Sequence, residues 1–199
     1  MRKALSLLLI LVLCVFSLSA YVRVGGTFTT EKKDSDGASG ERTTFDLGAG
    51  TYWSDELFSV TGPHFSFISE VAAGASFDEF HADQNFHLDL SATLLPGFTY
   101  VFNPRTGAGV SASAGIRAVR LGFHGSYDNA GNWDKFIHLI SFGLLGSTPQ
   151  RYLETVIDVR AKFGFFGAGM QVSFPITEKS FGGYSNMMST SVFVTLGQY

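Results

Sequence analysis

Apolar and polar residues alternate one by one along the segment from Phe86 to Phe102. The even positions are all apolar or aromatic, whereas the odd positions begin with His87, Asp89 and Ser91. A β-strand places successive side chains on opposite faces, so this period of two predicts a long strand with one apolar and one polar face. An amphipathic helix would need a period near 3.6 residues, which the segment does not show.

The same alternation recurs along the chain and predicts eight strands. Besides Phe86–Phe102, the predicted strands cover Val22–Phe28, Thr44–Trp53, His64–Phe77, Gly107–Ser126, Lys135–Gly146, Ile157–Phe165 and Ser191–Gly197. Lys135–Gly146 is apolar on both faces, so its orientation stays open. In the fifth strand the apolar parity changes after Ile116 to Val119 and Leu121, which predicts a β-bulge near Ala118.

The connections between these strands alternate in kind. Four are long and polar, namely Glu31–Arg42, Ser76–Asn85, Tyr127–Asp134 and Thr177–Met187. Three are short, namely Ser54–Glu56, Asn103–Thr106 and Ser147–Gln150. An even number of strands with all long connections at one end is typical of transmembrane barrels. The predicted fold is therefore all-β, an eight-stranded antiparallel up-and-down transmembrane β-barrel with short periplasmic turns and long extracellular loops.

Charged residues indicate which face of the barrel is wet. A soluble lipocalin-like barrel has the same number of strands but keeps its apolar face inside. Outside loops and turns the chain has only ten charged residues, five acids and five bases. They are Arg23, Asp46, Glu70, Asp89, Arg117, Arg120, Glu154, Asp158, Arg160 and Lys162. Because a water-exposed wall would carry many more, we interpret them as a balanced charge network inside a narrow lumen.

Aromatic residues are expected at both ends of the strands, as in membrane interfaces. Those predicted beside the short turns include Trp53, Tyr100, Phe102 and Tyr152.

The first 20 residues predict export. Arg2 and Lys3 precede the apolar run Leu5–Phe16 and small residues up to Ala20, which is the anatomy of a signal peptide and too short for a membrane-spanning helix. We therefore divide the chain into a signal peptide, residues 1–20, and an outer-membrane β-barrel domain, residues 21–199. The single cysteine, Cys14, lies within the leader, which excludes disulfides and thiolate sites from the exported chain. The predicted location is the cell outer membrane.

The predicted architecture resembles the small eight-stranded outer-membrane barrels of the OmpA-barrel, OmpX and OmpW type. Such families end in an aromatic residue that marks the last strand for assembly, and here Tyr199 and Phe193 are similar to that signal. The resemblance implies outer-membrane lipid and the barrel-assembly machinery as partners. It also implies a role in binding or passing a small, hydrophobic molecule.

Motifs for chemistry are sparse. Five residues of the second long connection could gather a metal ion, but their spacing favours a solvated acidic loop: Asp78, Glu79, His81, Asp83 and His87. His124-Gly125-Ser126 is similar to the His-x-Ser site of lipid A deacylase barrels. That site needs a carboxylate shortly downstream to orient the histidine, and here Asp134 is the only acid at a strand edge. We therefore expect no enzyme activity, no metal and no cofactor. Without Arg2 and Lys3, 12 bases face 17 acids, which argues against nucleic acid as a partner.

Three functions stay open at this point. The first is an outer-membrane barrel that binds or passes a small molecule, with Pro63 and Pro96 interrupting strand pairing to open a lateral gap. The second is a closed barrel that displays its loops for adhesion or for binding a host surface protein. The third is a soluble periplasmic lipocalin-like carrier.

Overall fold

The computed structural model describes residues 20–33, 36–54, 61–77, 86–121, 150–176 and 184–197. These residues form eight strands. The strands are β1 (Ala20–Lys33), β2 (Ser39–Ser54), β3 (Gly62–Phe77), β4 (Phe86–Asn103), β5 (Ala108–Leu121), β6 (Gln150–Phe163), β7 (Phe166–Pro175) and β8 (Tyr184–Gly197). The part of the chain that is described contains no helix long and apolar enough to cross a membrane.

The eight strands form one closed antiparallel barrel. Each strand pairs with the next in sequence, and β8 pairs with β1 through contacts such as Val24 with Val194. Closure leaves no unpaired sheet edge along the length of the barrel, which a strand structure needs in lipid. The predicted fold class is therefore confirmed.

The division of residues 150–175 into strands differs from the prediction. The sequence indicated one strand over Ile157–Phe165, but the chain reverses at Gly164 and Phe165, between β6 and β7. Gly164 has a φ of +60°, which favours glycine, and its N–H donates to the Thr106 carbonyl at 2.8 Å. The reversal escaped prediction because aromatic residues flank it and no polar turn signal is present. Lys135–Gly146 lies outside the described residues.

The predicted bulge near Ala118 is wrong. Pairing of β4 with β5 continues without a shift from Thr93–Arg117 to Asp89–Leu121. Val119 is buried inside the barrel on the same face as Arg117. Val119 is an apolar residue on the inner face, so it interrupts the alternation in the sequence although the backbone of β5 is regular. Register shifts occur instead at Val101–Asn103 in β4 and where β8 passes Thr30 and Glu31 of β1.

The first predicted loop, Glu31–Arg42, is mostly strand. β1 continues to Lys33 and β2 begins at Ser39, so the connection itself is residues 34–38. Gly37, with a φ of +73°, donates its N–H to the Lys33 carbonyl at 2.9 Å. As a result, Glu31 and Arg42 are buried inside the barrel.

Large apolar side chains cover the outer surface of the barrel. Phe45, Phe98 and Phe163 are each more than 60% exposed. In water such a surface would be unfavourable, whereas a lipid bilayer removes the penalty. The polar faces predicted from the alternation point inward, as Arg23, Glu70 and Asp158 show.

Aromatic residues form a girdle at the short-turn end. Trp53 and Phe65 stand edge to face, 6.1 Å apart between ring centroids, and Tyr100 contacts Phe102 at 5.3 Å. This part of the aromatic prediction is confirmed, since Trp53, Tyr100 and Phe102 are exposed. The prediction for Tyr152 is wrong: it lies at the loop end of β6 and lines the interior.

Candidate functional site

A single carboxylate, Glu70 of β3, occupies the centre of the barrel interior. It accepts a hydrogen bond from the Tyr21 hydroxyl at 2.8 Å and another from Arg160 Nη2 at 3.2 Å. Arg23 also donates to it, through Nη1. These four side chains come from three strands and are almost completely buried. Charge-assisted hydrogen bonds of this kind offset the cost of burying the ions.

Arg160 connects this centre to the opposite wall of the barrel. Its Nε donates to Asp158 Oδ1 at 2.8 Å and its Nη2 to Asp158 Oδ2 at 3.0 Å. Its Nη1 donates to the Tyr21 hydroxyl at 2.7 Å. Asp158 and Arg160 are neighbours on the inner face of β6, so the strand itself brings them together.

Gln171 of β7 joins the two halves of the network. Its amide nitrogen donates to Asp158 Oδ2 at 2.7 Å. Its amide oxygen accepts from Arg23 Nη1 at 3.1 Å and from Arg117 Nη2. Sequence reasoning missed this residue because it predicted no strand over Phe166–Pro175 and searched for charged residues alone. The polar interruption between the apolar residues Met170 and Val172 was the available signal.

Arg117 extends the network toward the loop end. Its Nε donates to Thr93 Oγ1 at 3.2 Å and its Nη1 to Glu154 Oε2 at 3.4 Å. Closer to the loops, Arg42 Nε donates to Glu31 Oε1 at 3.0 Å. Sequence reasoning had placed both members of this second pair in a loop.

Phe193 packs inside the network. The guanidinium carbons of Arg23 and Arg160 lie 4.2 Å and 4.8 Å from its ring centroid, within the range of cation–π attraction. Gly169 leaves room for the ring, since a Cβ there would lie 2.6 Å from Phe193 Cζ. The sequence suggested an assembly signal at Phe193 and Tyr199. Phe193 has this interior contact in addition, and Tyr199 lies outside the described residues.

The structure places nine of the ten predicted lumen charges inside the barrel. They are Arg23, Asp46, Glu70, Asp89, Arg117, Glu154, Asp158, Arg160 and Lys162. Asp46 accepts a hydrogen bond from Thr27. Lys162 Nζ lies 2.8 Å from the centroid of the Tyr52 ring, near the short-turn end. The backbone of Arg120 pairs with Leu90 and Arg151, and its side chain lies outside the described part.

On the short-turn side of Glu70, buried apolar side chains fill the lumen. Ile68 and Leu95 have no exposed surface and cluster with Tyr21, Tyr52 and Val156. Tyr52 also forms a hydrogen bond with Thr99 across the lumen. On the loop side, a cavity of about 30 Å³ is lined by residues that include Arg42, Asp46, Asp89, Tyr152 and Glu154. That volume holds one or two water molecules.

The two prolines expected to open a lateral gap leave the wall closed. Pro63 pairs with Tyr100, and Phe67 pairs with Pro96, between β3 and β4. On the other side, the pairing of β4 with β5 is interrupted at Leu95 and Pro96, but the register is the same before and after them, from Leu94–Ile116 to Gly97–Ser113. The strands are so close there that a Cβ on Gly115 would overlap the Leu94 carbonyl.

The residues that the sequence suggested for a metal site or a catalytic site lie outside the described part of the chain or have no described side chain. Asp78, Glu79, His81 and Asp83 lie outside the described residues, as do His124, Ser126 and Asp134. His87 belongs to β4, but its side chain is not described. Within the described ranges, no three His, Cys, Asp or Glu side chains are grouped to hold a metal ion.

Solved structures provide the comparison with known proteins. No protein-family model matches this sequence, and no curated protein sequence does. The outer membrane enzyme PagL superposes with a TM-score of 0.52 at 13% identity, over 87% of this chain and 98% of that one. The chain has the fold of the small eight-stranded outer-membrane β-barrels. This confirms the barrel fold of the type that the sequence resembles.

Two other outer-membrane barrels are similar at lower scores. Ail of Yersinia pestis has a TM-score of 0.44 at 8% identity, covering 92% of this chain and 99% of that chain. OprG of Pseudomonas aeruginosa has a TM-score of 0.42 at 9% identity, covering 91% of this chain and 94% of that chain.

The soluble carrier, the third function left open by the sequence, does not fit the structure. In this barrel the charged side chains are inside and the large apolar side chains are outside. The signal peptide stays a prediction, since residues 1–19 lie outside the described part.

Proposed function

We propose that this outer-membrane barrel is closed and acts through its loop end, binding a partner at the cell surface, rather than passing a molecule through its centre. The observation that carries the proposal is the network around Glu70, which spans the lumen from β1 to β3 and β6. The side chains of Ile68 and Leu95 support it by sealing the level below.

Energetics favour a closed state over a gated channel. A path along the axis requires Glu70 to leave Arg23, Arg160 and Tyr21 together. Breaking a buried ion pair by removing one partner costs about 3–5 kcal/mol. An eight-stranded barrel also has an interior only wide enough for side chains. Passage of a small organic solute would therefore need the whole interior to repack.

The charge of the loop end supports a basic partner. The four connections at that end, residues 34–38, 78–85, 122–149 and 176–183, contain eight acids and two bases. Such a surface attracts cations and basic protein surfaces, and the attraction weakens as salt rises. A host surface protein with a basic patch fits this charge.

Planar-bilayer recording tests the closed state. We expect the purified barrel to show no stable conductance steps. The triple variant Glu70→Ala, Arg160→Ala and Leu95→Ala removes both sides of the central bridge and opens the apolar level below it, so it should conduct, provided it folds to a heat-modifiable barrel. Leu94→Ala, on the outer surface, is the matched control and should stay silent. Stable conductance of the wild-type protein would contradict the proposal.

Binding to cells tests the role of the loops. Cells that carry the barrel should retain a basic protein such as lysozyme more than cells without it, and 0.5 M salt should abolish the difference, since screening at that salt acts within about 4–5 Å. Neutralising Asp78, Glu79 and Asp83 together to amides should reduce retention. Asp55→Asn, in the connection between β2 and β3, is the control. Equal retention by the loop variant and the wild type would reject the role of this loop.

A second candidate function is hydrolysis of a membrane lipid. His124-Gly125-Ser126 is similar to the His-x-Ser site of lipid A deacylase barrels, and the superposed PagL is an outer membrane enzyme. The purified barrel would then release fatty acid from lipid A in detergent, and Ser126→Ala would stop the release. No release by the wild-type protein would leave the non-enzymatic proposal, which is the one we prefer.

A further inference from the structure

Two carboxylates of the barrel interior converge over one glycine. Gly74 of β3 pairs with Asp46 of β2 on one side and with Asp89 of β4 on the other. A Cβ at Gly74 would lie 2.9 Å from Asp46 Oδ1 and would overlap Asp89 Oδ1. Both oxygens therefore occupy the space that a side chain at Gly74 would fill. Two atoms that both lie within 3 Å of one point are less than about 6 Å apart, and at that separation two ionised carboxylates repel each other.

The surrounding bases already contact other acids. Arg42 is bonded to Glu31, and Arg117 to Glu154. Arg23 is bonded to Glu70 and lies 3.9 Å from Asp46 Oδ2. Tyr152 of β6 also lines the cavity next to the pair.

The interior has more acids than bases among the described side chains. The acids are Glu31, Asp46, Glu70, Asp89, Glu154 and Asp158, and the bases are Arg23, Arg42, Arg117, Arg160 and Lys162. The described interior therefore has one more acid than it has bases.

We propose that Asp46 and Asp89 share one proton, and that this carboxylate pair makes the loop end of the barrel sensitive to pH. Asp89 is half-buried and lines the cavity on the loop side, so protons from solvent reach it. Uptake of one proton balances the charges of the described interior. It also allows a hydrogen bond between the two carboxyl groups in place of their repulsion.

The sign of the effect follows from this repulsion. With both groups ionised, the folded barrel is strained, whereas the unfolded chain keeps them apart. The folded state therefore binds the shared proton more tightly than the unfolded state, and stability rises as the pH falls through the titration of the pair.

Thermal unfolding in detergent at a fixed heating rate tests the proposal. Between pH 8 and pH 6 the wild-type midpoint should rise by roughly 2–4 °C, the shift expected for about 1 kcal/mol in a chain of this size. Asp89→Asn should show a smaller rise and a higher midpoint than the wild type at pH 8. Histidines titrate in the same range, and the comparison between the two proteins cancels their contribution. Asp36→Asn, an exposed loop acid, should behave as the wild type does.

Infrared spectroscopy provides an independent readout. At pH 6 the wild-type barrel should show the carbonyl band of a protonated carboxylic acid, and both Asp89→Asn and Asp46→Asn should lose it. A lower midpoint of Asp89→Asn at pH 8 would show that Asp89 is an ion-pair partner of the arginines, which overturns the proposal. Absence of the wild-type band at pH 6 would overturn it as well.

Discussion

Arg160 and Glu70, 90 residues apart in sequence, meet inside the barrel at 3.2 Å between Nη2 and Oε2. Both side chains are 1% exposed, so water does not screen the pair. Arg160 contacts Asp158 at the same time, and Glu70 contacts Arg23. The pair therefore lies within a charge network in which the removal of either member takes an ion partner from two other buried side chains.

Replacement of Arg160 by leucine should destabilise the barrel. Glu70 and Asp158 would lose a shared cation while staying buried, at a cost of about 3–5 kcal/mol. The measurement is the urea midpoint of refolded protein in detergent. Arg105→Leu, in an exposed turn, should leave the midpoint nearly unchanged. An unaltered midpoint for Arg160→Leu would tell against a structural role for the network.

Replacement of Gln171 by leucine should also destabilise, but less. The change removes a neutral amide that donates to Asp158 and accepts from Arg117 and Arg23. Leaving buried charged groups without these hydrogen bonds costs about 1–3 kcal/mol. The measurement is again the urea midpoint in detergent. A Gln171→Leu barrel as stable as the wild type would contradict the role of this amide in the network.

Two adjacent glycines should respond differently to the same substitution. A Cβ at Gly25 would lie 2.7 Å from both Phe193 Cβ and the Val192 carbonyl oxygen, so Gly25→Ala forces β1 and β8 apart. Overpacking of this kind typically costs about 1–3 kcal/mol. At Gly26 the nearest atom would be 3.8 Å away, and Gly26→Ala should be tolerated. Heat-modifiable gel migration at increasing temperature distinguishes them. Equal melting would refute the close approach at Gly25.

The orientation of the barrel can be read from protease access. A cleavage site inserted between Asp36 and Gly37, in the connection between β1 and β2, should be cut in intact cells. The same site inserted between Arg105 and Thr106, in the turn between β4 and β5, should be protected until the outer membrane is permeabilised. The reverse result would show that the short turns face outward.

Some of the interior could be predicted because the alternation determines it locally. The alternation separates polar from apolar positions along each strand. Once the outer face was taken as apolar, the polar positions were predicted to point inward, and these include Arg23, Glu70, Asp158 and Arg160. The inward positions of Glu31 and Arg42 were not predicted, because a polar sequence is compatible both with a loop and with a strand that continues beyond the bilayer. The contact of Phe193 with Arg23 and Arg160 was not predicted, because the sequence does not distinguish an inward aromatic residue from an assembly signal.

The sequence by itself determined the inward direction of charged residues in regular strands, such as Arg23, Asp158 and Arg160, because the faces of a pleated strand alternate residue by residue. Only the tertiary structure decided that Gln171 lies between Arg23, Arg117 and Asp158, and that Glu70 meets Arg160. These partners come from strands far apart in the chain. Their heights in the lumen depend on the stagger with which eight tilted strands close, and a local pattern carries no record of that stagger.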